Sequence, residues 1–146
     1  MALRGPPTSV GRVVITAVDS SLLLDVLTDD PSRRSAAVAA LRDARQVGRV
    51  LICPVVWAEI RAFFDDGAVM SQALGAADLR FDPFDQECAE LAGALWREYR
   101  RSGGQRTRVM ADFLIGAHAQ VRGGRLLTRD RGFFRQYFAK LQILGS

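Results

Sequence analysis

The sequence is short of several things at once. Among its 146 residues there is one lysine, Lys140, and one histidine, His118. There are two cysteines, Cys53 and Cys88, in apolar surroundings and without the Cys or His neighbours of a zinc site. A disulfide-stapled miniprotein is thereby excluded, and buried reduced thiols in a cytoplasmic protein are expected. No apolar run reaches the roughly 20 residues that span a bilayer. The longest, over residues 50–58, is broken by Pro54. Residues 1–12 hold no apolar stretch of the kind that forms a secretory signal. There is no phosphate-cradling G-x-x-x-x-G-K-[ST] or G-x-G-x-x-G, and no nucleophile elbow. A Ser–His–Asp triad would depend on His118, which is expected to pack in the core or sit at the surface. Asp19-Ser20-Ser21 lacks the second Asp of a D-x-D phosphohydrolase.

What is present suffices for one ordinary domain. Hydrophobic residues make up 49% of the chain, and 20 of them are Ala, which leaves enough larger side chains for a single core. The charged fraction, 25%, is that of a folded soluble protein rather than a disordered one. The formal charge is +4, and every basic residue but Lys140 is Arg. The guanidinium fork suits phosphate, so the balance is compatible with a nucleic-acid partner without identifying one.

Along the chain, short β-rich runs alternate with helical periods. Residues 1–12 read as a loose arm, and 13–146 as one domain. Strands are expected at 13–18, 50–53, 80–84, 125–128 and 141–144. Helices are expected at 22–27, from Asp30-Pro31 to a stop at Gly48, at 54–64, 68–79 and about 88–103, at 111–122, and briefly within 130–138. The paired Phe63-Phe64 and Phe133-Phe134, with Trp57 and Trp96, are expected in the core or at an interface. The alternation predicts an α/β domain with a mostly parallel sheet, whose ligands would lie at the carboxyl ends of the strands.

Four acids stand out against that frame. Asp19 follows the strand at 13–18, and Asp130 follows the one at 125–128. Asp112 opens a helix that is apolar nearly all round. Glu59 has Val55, Val56, Ala62 and Phe63 as its helical neighbours, which predicts a carboxylate on a buried face. Each has a plainer explanation: Asp19, Asp112 and Asp130 as caps or turn acids, Glu59 as half of a buried pair with an Arg such as Arg61 or Arg108. Together they suggest more. Clustered carboxylates cannot all ionise without a cation, and oxygen-only ligands suit Mg²⁺ or Mn²⁺. With these four set aside, 12 of the 16 acids remain against 20 basic residues. An acid pocket in a basic surround has the form of a metal-dependent phosphodiester site. Arg108, Arg129 and Arg131 flank the acids in sequence and are candidate phosphate ligands.

The run Asp19-Ser20-Ser21-Leu22-Leu23 after an apolar strand, Trp57-Ala58-Glu59-Ile60, the stretch from Ala111 to Ala119, and Leu126-Leu127-Thr128-Arg129-Asp130 before Phe133-Phe134 together resemble a PIN domain. Their order and spacing are similar to the VapC-type toxin ribonucleases of bacterial toxin–antitoxin pairs, over about residues 13–144. The resemblance implies a three-layer α/β/α fold and an acidic catalytic site of Asp19, Glu59, Asp112 and Asp130. Of these, Asp19, Asp112 and Asp130 would be metal ligands, Asp19 and Asp112 the firmest. Ser21 and Thr128 would hold ligands or phosphate in place. It also implies a Mg²⁺ or Mn²⁺ cofactor, an RNA substrate, a homodimer and an antitoxin; four clustered carboxylates attract a cation, so a basic residue of that antitoxin is expected to enter the acid pocket. The arm at 1–12 is a departure, since such chains often start just before the first strand. A catalytically silent nucleic-acid or protein-binding module on the same fold is the alternative.

Overall fold

The computed structural model describes residues 13–103 and 109–145. The N-terminal arm and Arg108 lie outside the described residues.

Strand β1 (Val14–Val18) is rich in β-branched side chains and buried over its last three residues. It is the middle of a five-stranded, all-parallel sheet with β2 (Gly48–Ile52), β3 (Leu79–Phe81), β4 (Arg125–Leu127) and β5 (Gln142–Leu144). The spatial order is β3-β2-β1-β4-β5. The chain thus builds outward from β1 on one side, then returns to build outward on the other. The direction reverses between β1 and β4, and a parallel sheet offers its binding crevice at such a reversal. Register sharpens this. Val18 pairs with Leu127, so the next residues of the two strands, Asp19 and Thr128, emerge side by side.

Helices cover both faces and make the three-layer α/β/α domain: α1 (Ser20–Val26), α2 (Pro31–Val47), α3 (Pro54–Arg61), α4 (Gly67–Ala76), α5 (Gln86–Arg101), α6 (Met110–Arg122) and α7 (Arg131–Tyr137). Asp30 caps α2 by accepting from the backbone N–H of Ser32 and Arg33 at 3.0 and 3.3 Å, with Pro31 at the first helical position. The expected stop at Gly48 is also the first residue of β2, so helix passes into strand without a loop. A Cβ there would collide with the Val14 carbonyl oxygen, which makes glycine a condition for β2 to pair with β1. Helix α3 is shorter than its apolar pattern suggested. It ends at Arg61, and Phe63, expected in the core or at an interface, is 65% exposed in the chain.

The core runs along both sheet faces and gathers round Phe113 in the first turn of α6. Its ring meets Trp96, Tyr99, Phe133, Tyr137 and Phe138. Gly116, one turn on, leaves the space that the Phe138 ring occupies. This aromatic knot fixes the start of α6, and with it Asp112, against α5 and α7. Among the described residues no helix is long and apolar enough to cross a membrane.

Candidate active site

Asp19 occupies the N-cap position of α1 in an extended conformation, yet its side chain makes no capping bond. The plain capping explanation therefore fails. Its Oδ2 instead accepts from Thr128 Oγ1 at 2.7 Å and from Ser21 Oγ at 3.0 Å. Its backbone N–H donates to Leu127 at 2.9 Å and extends the β1–β4 ladder by one rung. The carboxylate is held at the floor of the crevice, 7% exposed. The two hydroxyls are fixed in turn: Asp130 N–H donates to Thr128 Oγ1 at 2.9 Å, and Arg129 N–H to Ser21 Oγ at 3.2 Å. Asp19 is thereby coupled to the loop that carries Asp130, 111 positions away in sequence.

Glu59 departs from expectation. Of its four apolar helical neighbours only Val56 is buried; Val55 is half-buried, while Ala62 and Phe63 lie past the helix end and are exposed. The buried stripe of α3 is Val56 and Ile60, and Glu59 sits on its exposed flank, so the buried-face reading is corrected. It nevertheless senses the crevice. Its carboxyl is pushed above the usual range, first by partial withdrawal from water and then by the charges of Asp19 and Asp112, while a hydrogen bond with Ser20 pulls it down.

Asp112 is half-buried in the first turn of α6, and its Oδ2 accepts from Val109 N–H at 3.4 Å. That bond, with the macrodipole, suits an acid there, and the Asp112 charge also acts on Glu59 at the crevice. Asp130 is half-buried at the N-cap position of α7, without a side-chain capping bond. Cys53, at the carboxyl end of β2, borders the same space, and its thiol is pushed up to about 11, chiefly by burial, with Glu59 and Asp19 adding to the shift. Both cysteines are free and buried.

The crevice thus joins Asp19, Glu59 and Asp112 by charge, and Asp130 by its backbone through Thr128. Among the described residues no three His, Cys, Asp or Glu side chains are arranged to hold one ion together. The donor set still fits Mg²⁺ or Mn²⁺ in kind, being carboxylate and hydroxyl oxygen. Mg²⁺ commonly takes only one or two carboxylates and keeps several waters.

The flanking arginines differ from one another. Arg129 Nε lies 2.6 Å from Oδ2 of Asp25, a carboxylate only 2% exposed that also pairs with Arg33 at 2.7 Å. The Arg129 contact is a close ion pair without hydrogen-bond alignment, since the same oxygen has no hydrogen-bond partner. Arg131 is exposed, with its stem beside Gly145. The sequence pattern does not single out Asp25; its place between Leu22 and Val26 on the apolar side of α1 is the available signal. Nor does it single out Asp82 and Asp85, which Arg122 bridges at 2.6 and 3.0 Å. His118 is fully buried and pairs through Nε2 with Asp82 at 2.8 Å. Burial holds its pKa below the ordinary value. It is structural, on α6 away from the acids.

Residues 16–139 match the PIN domain family. The fold is similar to solved toxin–antitoxin structures. VapBC2 from Rickettsia felis, bound to a promoter DNA fragment, has a chain 18% identical with a TM-score of 0.72, over 90% of this chain and 98% of that one. DNA-bound VapBC from Salmonella typhimurium gives 18% identity and 0.69, over 91% and 98%. VapC20 from Mycobacterium tuberculosis, a Sarcin-Ricin loop cleaving toxin, gives 16% and 0.57, over 87% and 98%. A search of curated proteins finds no match.

Proposed function

The chain belongs to the PIN-domain family, and from that premise we propose that it is a metal-dependent endoribonuclease, the toxin of a toxin–antitoxin pair. The observation that carries the reading is the Asp19 carboxylate, anchored by Ser21 and Thr128 at the reversal of strand order and facing a Glu59 whose carboxyl its charge helps push upward. The similar chains from Rickettsia felis and Salmonella typhimurium belong to VapBC assemblies, and the Mycobacterium tuberculosis one is a Sarcin-Ricin loop cleaving toxin. These support an antitoxin partner and an RNA substrate.

Asp19, Asp112 and Asp130 would hold Mg²⁺ or Mn²⁺. Bound there, such an ion supplies Lewis acidity toward the scissile phosphate and lowers the pKa of a bound water. The chain's own work is to fix and to neutralise. Ser21 and Thr128 hold the Asp19 carboxylate in one orientation. Glu59, with its raised proton affinity, is fitted to take a proton from the attacking water. Arg131, and Arg108 beside Asp112 in sequence, bind phosphate oxygens, and Arg129 contributes whatever its pairing with Asp25 leaves exposed. The protein acts as a cytoplasmic homodimer. Its antitoxin lays an apolar helix beside the crevice and directs an Arg or Lys onto Asp19 and Asp112, a charge-assisted contact in place of the ion.

The test is cleavage of single-stranded and looped RNA by wild-type protein after chelation, then with Mg²⁺ or Mn²⁺ restored. Restoration of cleavage by the ion supports the proposal. Equal cleavage in chelator contradicts the metal mechanism, and binding without turnover under every condition would favour a silent module.

A further inference from the structure

Helix α5 carries, in its last turns, three arginines that the fold does not use, beside a tryptophan that it holds in place. Trp96, Arg97, Arg100 and Arg101 line a groove of 530 Å³. The three arginines are exposed and make no ion pair among the described residues. Arg100 and Arg101 stand three and four positions after Arg97, where like charges repel across a helix surface. The helix macrodipole favours cations in the last turn, which covers Arg100 and Arg101. It accounts neither for Arg97, a turn earlier, nor for the indole beside them.

Trp96 is not a loose surface ring. It stacks on the buried Tyr99 at 5.7 Å with an interplanar angle of 22°, and meets Phe113 edge-on at 5.4 Å. The indole is therefore held rigidly while still lining the groove. Phe113 directly follows Asp112 in α6. Helices α5 and α6 run antiparallel: Asp85, at the start of α5, pairs with Arg122 at the end of α6, and Tyr99, near the end of α5, packs on Phe113 at the start of α6. The groove thus opens at the same end of α6 as the acid crevice.

A fixed aromatic ring beside several guanidinium groups that make no ion pair among the described residues is the combination that binds single-stranded nucleic acid, by stacking a base and tracking the phosphates beside it. We propose that this groove is a binding subsite for the single-stranded RNA flanking the scissile phosphate, with one base on Trp96 and neighbouring phosphates on Arg97, Arg100 and Arg101. The identity of the ligand as RNA rests on the nuclease reading above; the presence of a phosphate and base site does not.

The test uses the whole protein in chelator, which withholds the divalent ion that the proposed cleavage needs, and a short fluorescent single-stranded RNA oligonucleotide. Affinity is followed against salt concentration. Replacing Arg97, Arg100 and Arg101 together by Ala should make the log–log slope shallower by about 2, from roughly 0.7 per lost phosphate contact, with the melting curve unchanged. The triple Lys replacement, which keeps the charges, should return most of that slope. In a Trp57→Phe background, oligonucleotide binding should quench Trp96 emission, and Trp96→Phe should weaken binding several-fold. An unchanged slope in the folded triple-Ala protein overturns the proposal, as does a Trp96 emission that ignores the oligonucleotide. If the triple-Ala protein keeps oligonucleotide binding but loses a protein partner, the groove docks protein and the proposal also falls. Wild-type cleavage of RNA, measured alongside, separates the two readings. Cleavage with an unchanged slope sinks only the groove. No cleavage with any divalent ion sinks the nuclease reading, whatever the groove binds.

Discussion

Thr128 Oγ1 donates to Asp19 Oδ2 at 2.7 Å across a separation of 109 residues. The bond follows from register, since Val18 and Leu127 pair in the sheet and the following residues inherit the alignment. Thr128 is fully buried, and its hydroxyl both donates to the carboxylate and accepts from Asp130 N–H. Thr128→Val keeps the shape and removes both bonds. We expect it to lower stability by about 1–3 kcal/mol, the range for stranding a buried polar group, and to cut nuclease activity more than Ser21→Ala does. Urea unfolding and RNA cleavage check this; a variant unchanged in both would show that the hydroxyl does not hold Asp19.

Glu59 predicts a pH effect of definite sign. Its folded-state pKa is raised above the ordinary value of about 4.5, so the unfolded chain releases this proton first as pH rises. Stability should therefore fall as pH climbs from about 4.5 through the raised value, because the folded protein resists a charge beside Asp19 and Asp112. Glu59→Gln removes that contribution. Its stability relative to wild type should improve between pH 4 and pH 7, while its cleavage activity drops. Denaturant midpoints over that range give the comparison, and a relative stability that does not move with pH would place Glu59 outside the field of the other acids.

Asp25 joins α1, α2 and the loop after β4 through Arg33 and Arg129. The carboxylate is buried while both arginines are nearly half exposed, so water screens part of the attraction. Asp25→Ala should still cost about 1.5–3 kcal/mol, as for hydrogen bonds to a charged group. It should also release Arg129, whose loop carries Asp130. Hydrogen exchange at Asp130 N–H reports the second effect; protection equal to wild type would show that the loop is held without Asp25.

Most of the fold was legible because β1 and β2 carry β-branched, buried runs and each crossover has a helical period; β3 and β4, Leu-Arg-Phe and Arg-Leu-Leu, have no β-branched residue and showed only as short apolar pieces between helices. The ends were less so. Gly48 read as a helix stop and proved to be a strand start as well, since only the tertiary approach of Val14 decides its use. Glu59 was misread for a related reason: neighbours at helical spacing identify a face only while the helix lasts, and α3 ends before Ala62 and Phe63. Of the site, the strand-end positions of Asp19 and Asp130 were visible in sequence. The roles of Thr128 and Ser21 as anchors of Asp19 needed the register. The Asp25–Arg129 and Asp82–Arg122 pairs join residues far apart in the chain, so periodicity carried no trace of their partners.

An antitoxin that places a basic side chain on Asp19 and Asp112 should lose inhibition when that residue becomes Ala, with its apolar segment still binding. A pull-down and a cleavage assay with the product of the adjacent reading frame measure the two separately. A neighbour that neither binds nor inhibits would remove the toxin assignment and leave the nuclease.

Everything proposed for the crevice turns on Asp19 as the anchor of a metal-dependent nuclease site. Asp19→Asn keeps the side-chain shape and still accepts from Thr128 and Ser21 while discarding the charge. The direct measurement is Mn²⁺-dependent RNA cleavage by this variant beside wild type, with matched circular dichroism and melting curves. At least a hundred-fold loss is expected, on the order seen when a metal site or key electrostatic group is removed, in a protein that remains folded. Cleavage by folded Asp19→Asn at the wild-type rate would contradict it.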